Sequence, residues 1–165
     1  MPKPDFTSLR SASLPLLLAL LVGSCDVHVD QATPTNDSIS EREVISTEQA
    51  PAAIGVYSQG VKIGSTVHVS GQIGLVPETG QLAGEDLVSQ VRQTLANIEA
   101  ILNAGGLALE DVVSAQVFLS DLNDYQAFNG IYVEYFEHNP PARMVVEVSR
   151  IPRDAKVEIM VTASR

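Results

Sequence analysis

Pro140-Pro141-Ala142-Arg143-Met144-Val145-Val146-Glu147-Val148-Ser149-Arg150-Ile151-Pro152 runs on through Arg153-Asp154-Ala155 into Lys156-Val157-Glu158-Ile159 near the end of the chain. A Pro-Pro-Ala turn opens an apolar strand over 142–148, an Arg-Ile-Pro-Arg-Asp turn reverses it, and a second strand follows over 156–162. Arg143 stands at the start of the first strand, where packing alone gives it no reason to be. A guanidinium is buried only with a partner, and a ligand carboxylate held by two parallel hydrogen bonds is a fitting one. Glu158 lies on the next strand. A fixed cation and a carboxylate on neighbouring strands suit a small acid with a proton or a water handled beside it.

Working back from this hairpin, helical periodicity appears twice. Leu87, Val88, Val91, Leu95, Ile98, Ile101 and Leu102 recur on one face, with Gln90, Arg92, Gln93, Asn97 and Glu99 largely on the other, and Gly105-Gly106 ends the run. A second amphipathic helix is expected over 125–136, entered through Asp121 to Asp124 and stopped before Pro140. Between the helices, 112–119 is a strand rich in Val and Phe. Upstream, 57–63 and 66–73 alternate with period two about a Gly64-Ser65 hairpin turn, and Pro77-Glu78-Thr79-Gly80 is a further turn. The expected order is β-β-α-β-α-β-β, an α+β fold with one sheet covered by two helices.

The N-terminus reads as an address. Lys3 and Arg10 precede an apolar run from Leu14 to Val22, then Gly23-Ser24 and the single cysteine, Cys25. The run is about half of the ~20 residues that span a membrane, and the layout is that of a secretory signal over 1–24. Small residues just before a cysteine resemble a bacterial lipobox. Cys25 would then be the lipidation site, and its acyl chains would anchor the protein to the membrane of the bacterial cell envelope, facing the periplasm. Residues 25–48 are acidic and polar, without a sustained hydrophobic period, and read as a linker. The globular part is expected at 49–165. It is small and free of tryptophan, so oligomerisation would let it bury more surface.

The net charge of −10, with no cluster of Lys or Arg, argues against nucleic-acid binding. His28, His68 and His138 have no metal-ligand spacing, and one cysteine makes no zinc cluster. Ala104-Gly105-Gly106 follows a helix and reads as its C-cap, not as a phosphate cradle.

With these residues placed, the chain resembles the RidA/YjgF family of imine and enamine deaminases. The resemblance is carried by Ala52-Ala53-Ile54-Gly55-Val56-Tyr57-Ser58-Gln59-Gly60, Val69-Ser70-Gly71-Gln72-Ile73 with Pro77 to Gly80, 112–124, and Pro141-Ala142-Arg143 through Glu158-Ile159. It implies a fold like the chorismate mutase of bacilli and a homotrimer whose sheets pack as a central barrel, with ligand pockets at the subunit interfaces. The implied reaction hydrolyses 2-imino or enamine acids to 2-keto acids and ammonium without metal or organic cofactor. Arg143 would clamp the substrate carboxylate, Glu158 would activate water, Tyr57 would orient substrate or water, and Ser70, Gly71 and Asn129 would line or support the pocket. Val56, Gly74, Met144, Val145 and Met160 depart from the family pattern, which implies looser loops and a more apolar pocket suited to a bulkier side chain. The alternative function is a non-catalytic trimeric module that binds small carboxylates or an envelope partner. A ribonuclease reading, attached to some relatives, sits badly with the charge.

Overall fold

The computed structural model describes residues 41–165. The expected signal at 1–24, the expected lipidation site Cys25 and most of the stretch read as linker lie outside the described residues. Six strands form one mixed sheet: β1 (Arg42–Ile45), β2 (Gly60–Ile63), β3 (Thr66–Ile73), β4 (Val112–Leu119), β5 (Ala142–Glu147) and β6 (Val157–Ser164). Their spatial order is β1-β2-β3-β6-β4-β5. Only β4 and β5 run parallel, and every other pair is antiparallel. Two helices, α1 (Leu87–Ala104) and α2 (Tyr125–Phe136), pack on one face of this sheet.

The α+β architecture with two helices over one sheet is as expected, with differences that have physical causes. Arg42–Ile45 is a strand inside the stretch read as linker, paired with β2. Four residues are too few for periodicity to register, and only Ile45 of the four is buried. Residues 57–59 lie outside β2 and belong to the loop before it. Most consequential, β5 and β6 are not neighbours, because β4 lies between them. The closing pair is therefore no hairpin: the return from β5 crosses β4, and β5 is left as an edge strand.

The core lies between the sheet and its helices. Val67 and Val69 on β3, Ala115, Val117 and Leu119 on β4, and Val157, Ile159, Val161 and Ala163 on β6 are buried there against Val91, Leu95, Ile98 and Ile101 of α1 and Phe128 and Ile131 of α2. Each large side chain so buried contributes about 1.5–3 kcal/mol. Asp86 caps α1, its carboxylate accepting from the Ser89 N–H at 2.9 Å. Contrary to the sequence reading, Gln90 and Asn97 are buried along with Thr94. The Asn97 amide donates to the carbonyls of Ile73 (3.1 Å) and Leu75 (2.9 Å). Gln90 donates to the Gly84 carbonyl and accepts from the Lys156 N–H, each at 2.8 Å. These amides satisfy backbone groups of the loops around the sheet that would otherwise be stranded.

Among the described residues, the opposite face carries no helix. It presents Val44, Ile63, Met144, Val146 and Met160, all substantially exposed, together with His68, Gln116, Phe118 and Glu158.

Candidate functional site

The outer face of β6 holds Glu158 between two apolar cross-strand neighbours, Ile73 on β3 and Phe118 on β4. The ladder between β3 and β6 shifts register between Val69 and Gln72. The bulged residues there are Ser70 and Gly71, and such irregularities re-aim side chains beside sites. A Cβ on Gly71 would overlap the Glu158 carboxylate, so only glycine leaves that carboxylate its place. Gln72, buried, donates to the carbonyls of Ser70 (3.1 Å) and Gly71 (3.2 Å) and holds the bulge open.

A cavity of about 500 Å³ opens over this point. Tyr57, Ser70, Gly71 and Glu158 line it together, with Ile54 and Met160 among the apolar walls. Burial pushes the Glu158 carboxyl above its ordinary value, since the surroundings favour the neutral form. Ser70 donates its hydroxyl to the Ser58 carbonyl at 2.7 Å, which joins β3 to the loop carrying Tyr57. The Tyr57 hydroxyl accepts from the Ile54 N–H at 3.3 Å. A half-buried carboxyl in a largely apolar cavity, with hydroxyls at its rim, is suited to taking a proton from water and returning it.

Arg143 is elsewhere. It sits on β5 opposite Ala115 of β4, on the helix side of the sheet. Its guanidinium lies 4.6 Å from the Tyr132 ring centroid and 5.5 Å from that of Phe128, and donates to Asn129 Oδ1 at 2.8 Å. Two aromatic faces and one amide hold it flat while leaving other N–H groups free for a carboxylate. The Tyr132 hydroxyl is buried without a partner among the described residues, and its pKa is pushed up to about 12 by burial, a rise that the nearby Arg143 charge opposes. Glu147, at the end of β5, accepts from the Leu122 N–H at 2.8 Å.

The sequence-predicted residues thus fall into two groups: Tyr57, Ser70, Gly71 and Glu158 in one cavity, Arg143 and Asn129 in another place. The groups occupy opposite faces of the sheet, with β4 between their strands. The expectation of a cation and a carboxylate on neighbouring strands is corrected, because β4 lies between β5 and β6. Among the departures from family pattern, Met160 does line the Glu158 cavity, whereas Met144 and Val145 lie on β5 and do not. Gly74 lies against the backbone of Gln90, where a Cβ would overlap, so it marks close packing on α1 and not a loosened loop. Sequence reading missed the walls formed by Pro51, Pro152 and Arg153, although the turn at 150–154 leads directly into β6. Among the described residues, no group of three or more His, Cys, Asp or Glu is arranged to hold a metal ion, and no helix is long and apolar enough to cross a membrane.

Residues 47–165 match the family model described as endoribonuclease L-PSP. The chain is 51% identical over 126 residues to the 2-iminobutanoate/2-iminopropanoate deaminase of Salmonella typhimurium, covering 74% of this chain and 98% of that protein. The crystal structure of the YjgF gene product from E. coli superposes with a TM-score of 0.71 at 48% identity, covering 74% of this chain and 98% of that one. E. coli TdcF with bound serine gives a TM-score of 0.72 at 42% identity, with the same coverages.

Proposed function

The chain belongs to the RidA/YjgF family and is a deaminase acting on carbon–nitrogen bonds, and from that premise we propose that it hydrolyses reactive 2-imino and enamine acids to 2-keto acids and ammonium. The observation that carries this reading is the Glu158 carboxyl, raised in pKa by burial and set beside Gly71 in a cavity with Tyr57 and Ser70. Glu158 takes a proton from water as the water oxygen bonds to the carbon of the protonated imine and the C=N π pair moves to nitrogen, leaving a neutral amine. The Glu158 carboxyl then returns its proton to the amine of the resulting carbinolamine. The C–N bond breaks, the hydroxyl proton is released as C=O forms, and ammonia leaves and is protonated to ammonium. Arg143 clamps the substrate carboxylate and fixes the carbon in line with the water, an orientation effect that replaces any need for a metal in the reaction as written. Tyr57 orients water or substrate, and Asn129 supports Arg143.

One chain does not bring Arg143 to Glu158. The reading therefore includes a homotrimer in which a neighbouring copy supplies Arg143 to each Glu158 cavity, with the helix-free faces packed as a central barrel. What supports it is the apolar character of that face, where Ile63, Val146 and Met160 stand exposed in the single chain. RNA is a poor substrate for a chain of net charge −10. For the cell, the reading is an exported protein of the bacterial envelope, held by acyl chains on Cys25 and facing the periplasm. Incorporation of labelled palmitate, abolished by Cys25→Ser, is the expected sign of that anchor.

The decisive experiment supplies a 2-imino acid in situ with an amino-acid oxidase and follows its disappearance. Turnover lost in both Arg143→Ala and Glu158→Gln is the expected result. No acceleration over the spontaneous reaction by a folded trimer would leave a carboxylate-binding module in its place.

A further inference from the structure

The loop that carries Tyr57 over the cavity has almost no structure of its own. Between Pro51 and Gln59 its internal bonds are the Tyr57 N–H to the Gly55 carbonyl (3.0 Å) and the Ile54 N–H to the Tyr57 hydroxyl (3.3 Å). Ile54, Val56 and Tyr57 are all well exposed. Its two ends, by contrast, are tied together by one side chain. Gln59 is 4% exposed. Its amide nitrogen donates to the carbonyls of Thr47 (3.0 Å), Ala50 (3.1 Å) and Pro51 (2.9 Å), and its amide oxygen accepts from the Thr47 N–H at 2.7 Å. Its own backbone carbonyl accepts from the Ser70 N–H at 3.0 Å, beside the Ser70 hydroxyl bond to Ser58.

A loop so closed has its entropy reduced at the base, not along its length. Displacing Pro51 from Gln59 would move the wall formed by Pro51, Ala52 and Ile54, and the Tyr57 ring with it. We propose that Gln59 is a positioning residue of the deaminase: it sets Tyr57 over the Glu158 cavity by clamping the loop at both ends. The inference rests on the deaminase reading for its effect on turnover, though not for its effect on Tyr57.

Gln59→Met keeps the length and volume of the side chain and removes all four amide contacts. Gln59→Glu keeps the acceptor for Thr47 and loses the amide donor, so it serves if the methionine variant fails to fold. The full chain labelled with fluorotyrosine carries four tyrosines and therefore four resonances. In either variant the Tyr57 resonance, assigned through Tyr57→Phe, is expected to shift and broaden while those of Tyr125, Tyr132 and Tyr135 stay in place. Turnover is expected to fall about 10-fold or more in kcat, as misplacement of a site group does, with KM little changed. The loss should be non-additive with Tyr57→Phe, the double variant being no worse than the poorer single one. An unmoved Tyr57 resonance, additive losses, or all four resonances moving with a collapse of the melting temperature would each overturn the proposal. A wild-type chain that turns nothing over would sink the deaminase reading, and the Tyr57 resonance would still decide whether Gln59 orders the loop.

Discussion

The two faces of the sheet are built to different ends. The helix-side face is closed by the chain's own α1 and α2, and along its central strands β3, β4 and β6 the side chains that point to it are buried. Among the described residues the other face has no cover, yet it carries Glu158 and a row of exposed apolar side chains. The first face is finished by folding, and in the proposed trimer the second is finished by association. Arg143 belongs to the first and Glu158 to the second, so chemistry that needs both depends on what covers the open face.

The largest effects should come from placing the same charge on each face. Val117→Asp buries a carboxylate where Val117 has no exposure, and it should cost several kcal/mol and abolish the native far-UV spectrum of the monomer. Val146→Asp sits on the open face of the neighbouring strand. It should leave that spectrum intact while sedimentation shows loss of the oligomer and turnover disappears. A Val146→Asp protein that remains trimeric and active would break the comparison.

Next in size is the division of the site between copies. Arg143→Ala and Glu158→Gln should each be nearly inactive alone. Mixed through a dissociation and reassembly step they should recover roughly a quarter of wild-type turnover, because about one interface in four then joins an intact Arg143 to an intact Glu158. No recovery, with mixed trimers shown by mass, would place both residues in the service of one chain's pocket. Arg143→Lys should not substitute, since an ammonium makes no two-pronged clamp and stacks less well on Tyr132 and Phe128.

How much of this was legible in the sequence divides along the same line. The helix-side face announced itself, because Leu87 to Leu102 and the alternation along β3 and β6 follow from burial against the same chain. Arg143 and Glu158 were legible as chemistry, since an arginine opening an apolar strand asks for a partner. Their opposite faces and the interposed β4 were not. Strand order is set by long-range pairing, which leaves no local trace, and a short connection from β5 to β6 looks like a hairpin turn. Gln59, Gln90 and Asn97 were read as solvent-facing or passed over. A polar residue that serves loop carbonyls has the same local signature as one that faces water.

A smaller effect concerns pH. Burial raises the Glu158 carboxyl, so the folded state holds its proton to higher pH than the unfolded chain. Its neutral form is the better tolerated, and the fold loses stability as pH rises through the folded pKa. Glu158→Gln should therefore melt higher than wild type at neutral pH, with the difference vanishing below the ordinary glutamate value of about 4.3. In wild type the acid limb of kcat/KM should lie above that value, because a base must be ionised to act. A limb at or below it would mean that Glu158 is not the base, or that the covering copy adds a cation beside it.

The smallest expected change tests whether the closed face is truly finished. Tyr132 Oη is buried without a partner among the described residues, and such a hydroxyl costs more than it returns. Tyr132→Phe keeps the ring under the Arg143 guanidinium and the 4.4 Å stack on Phe136. It should stabilise the fold by about 1 kcal/mol and leave KM untouched. A rise in KM would mean that the hydroxyl finds its partner only when substrate or a second copy is present. The helix-side face would then also be completed by association, and the contrast between the two faces would be one of degree.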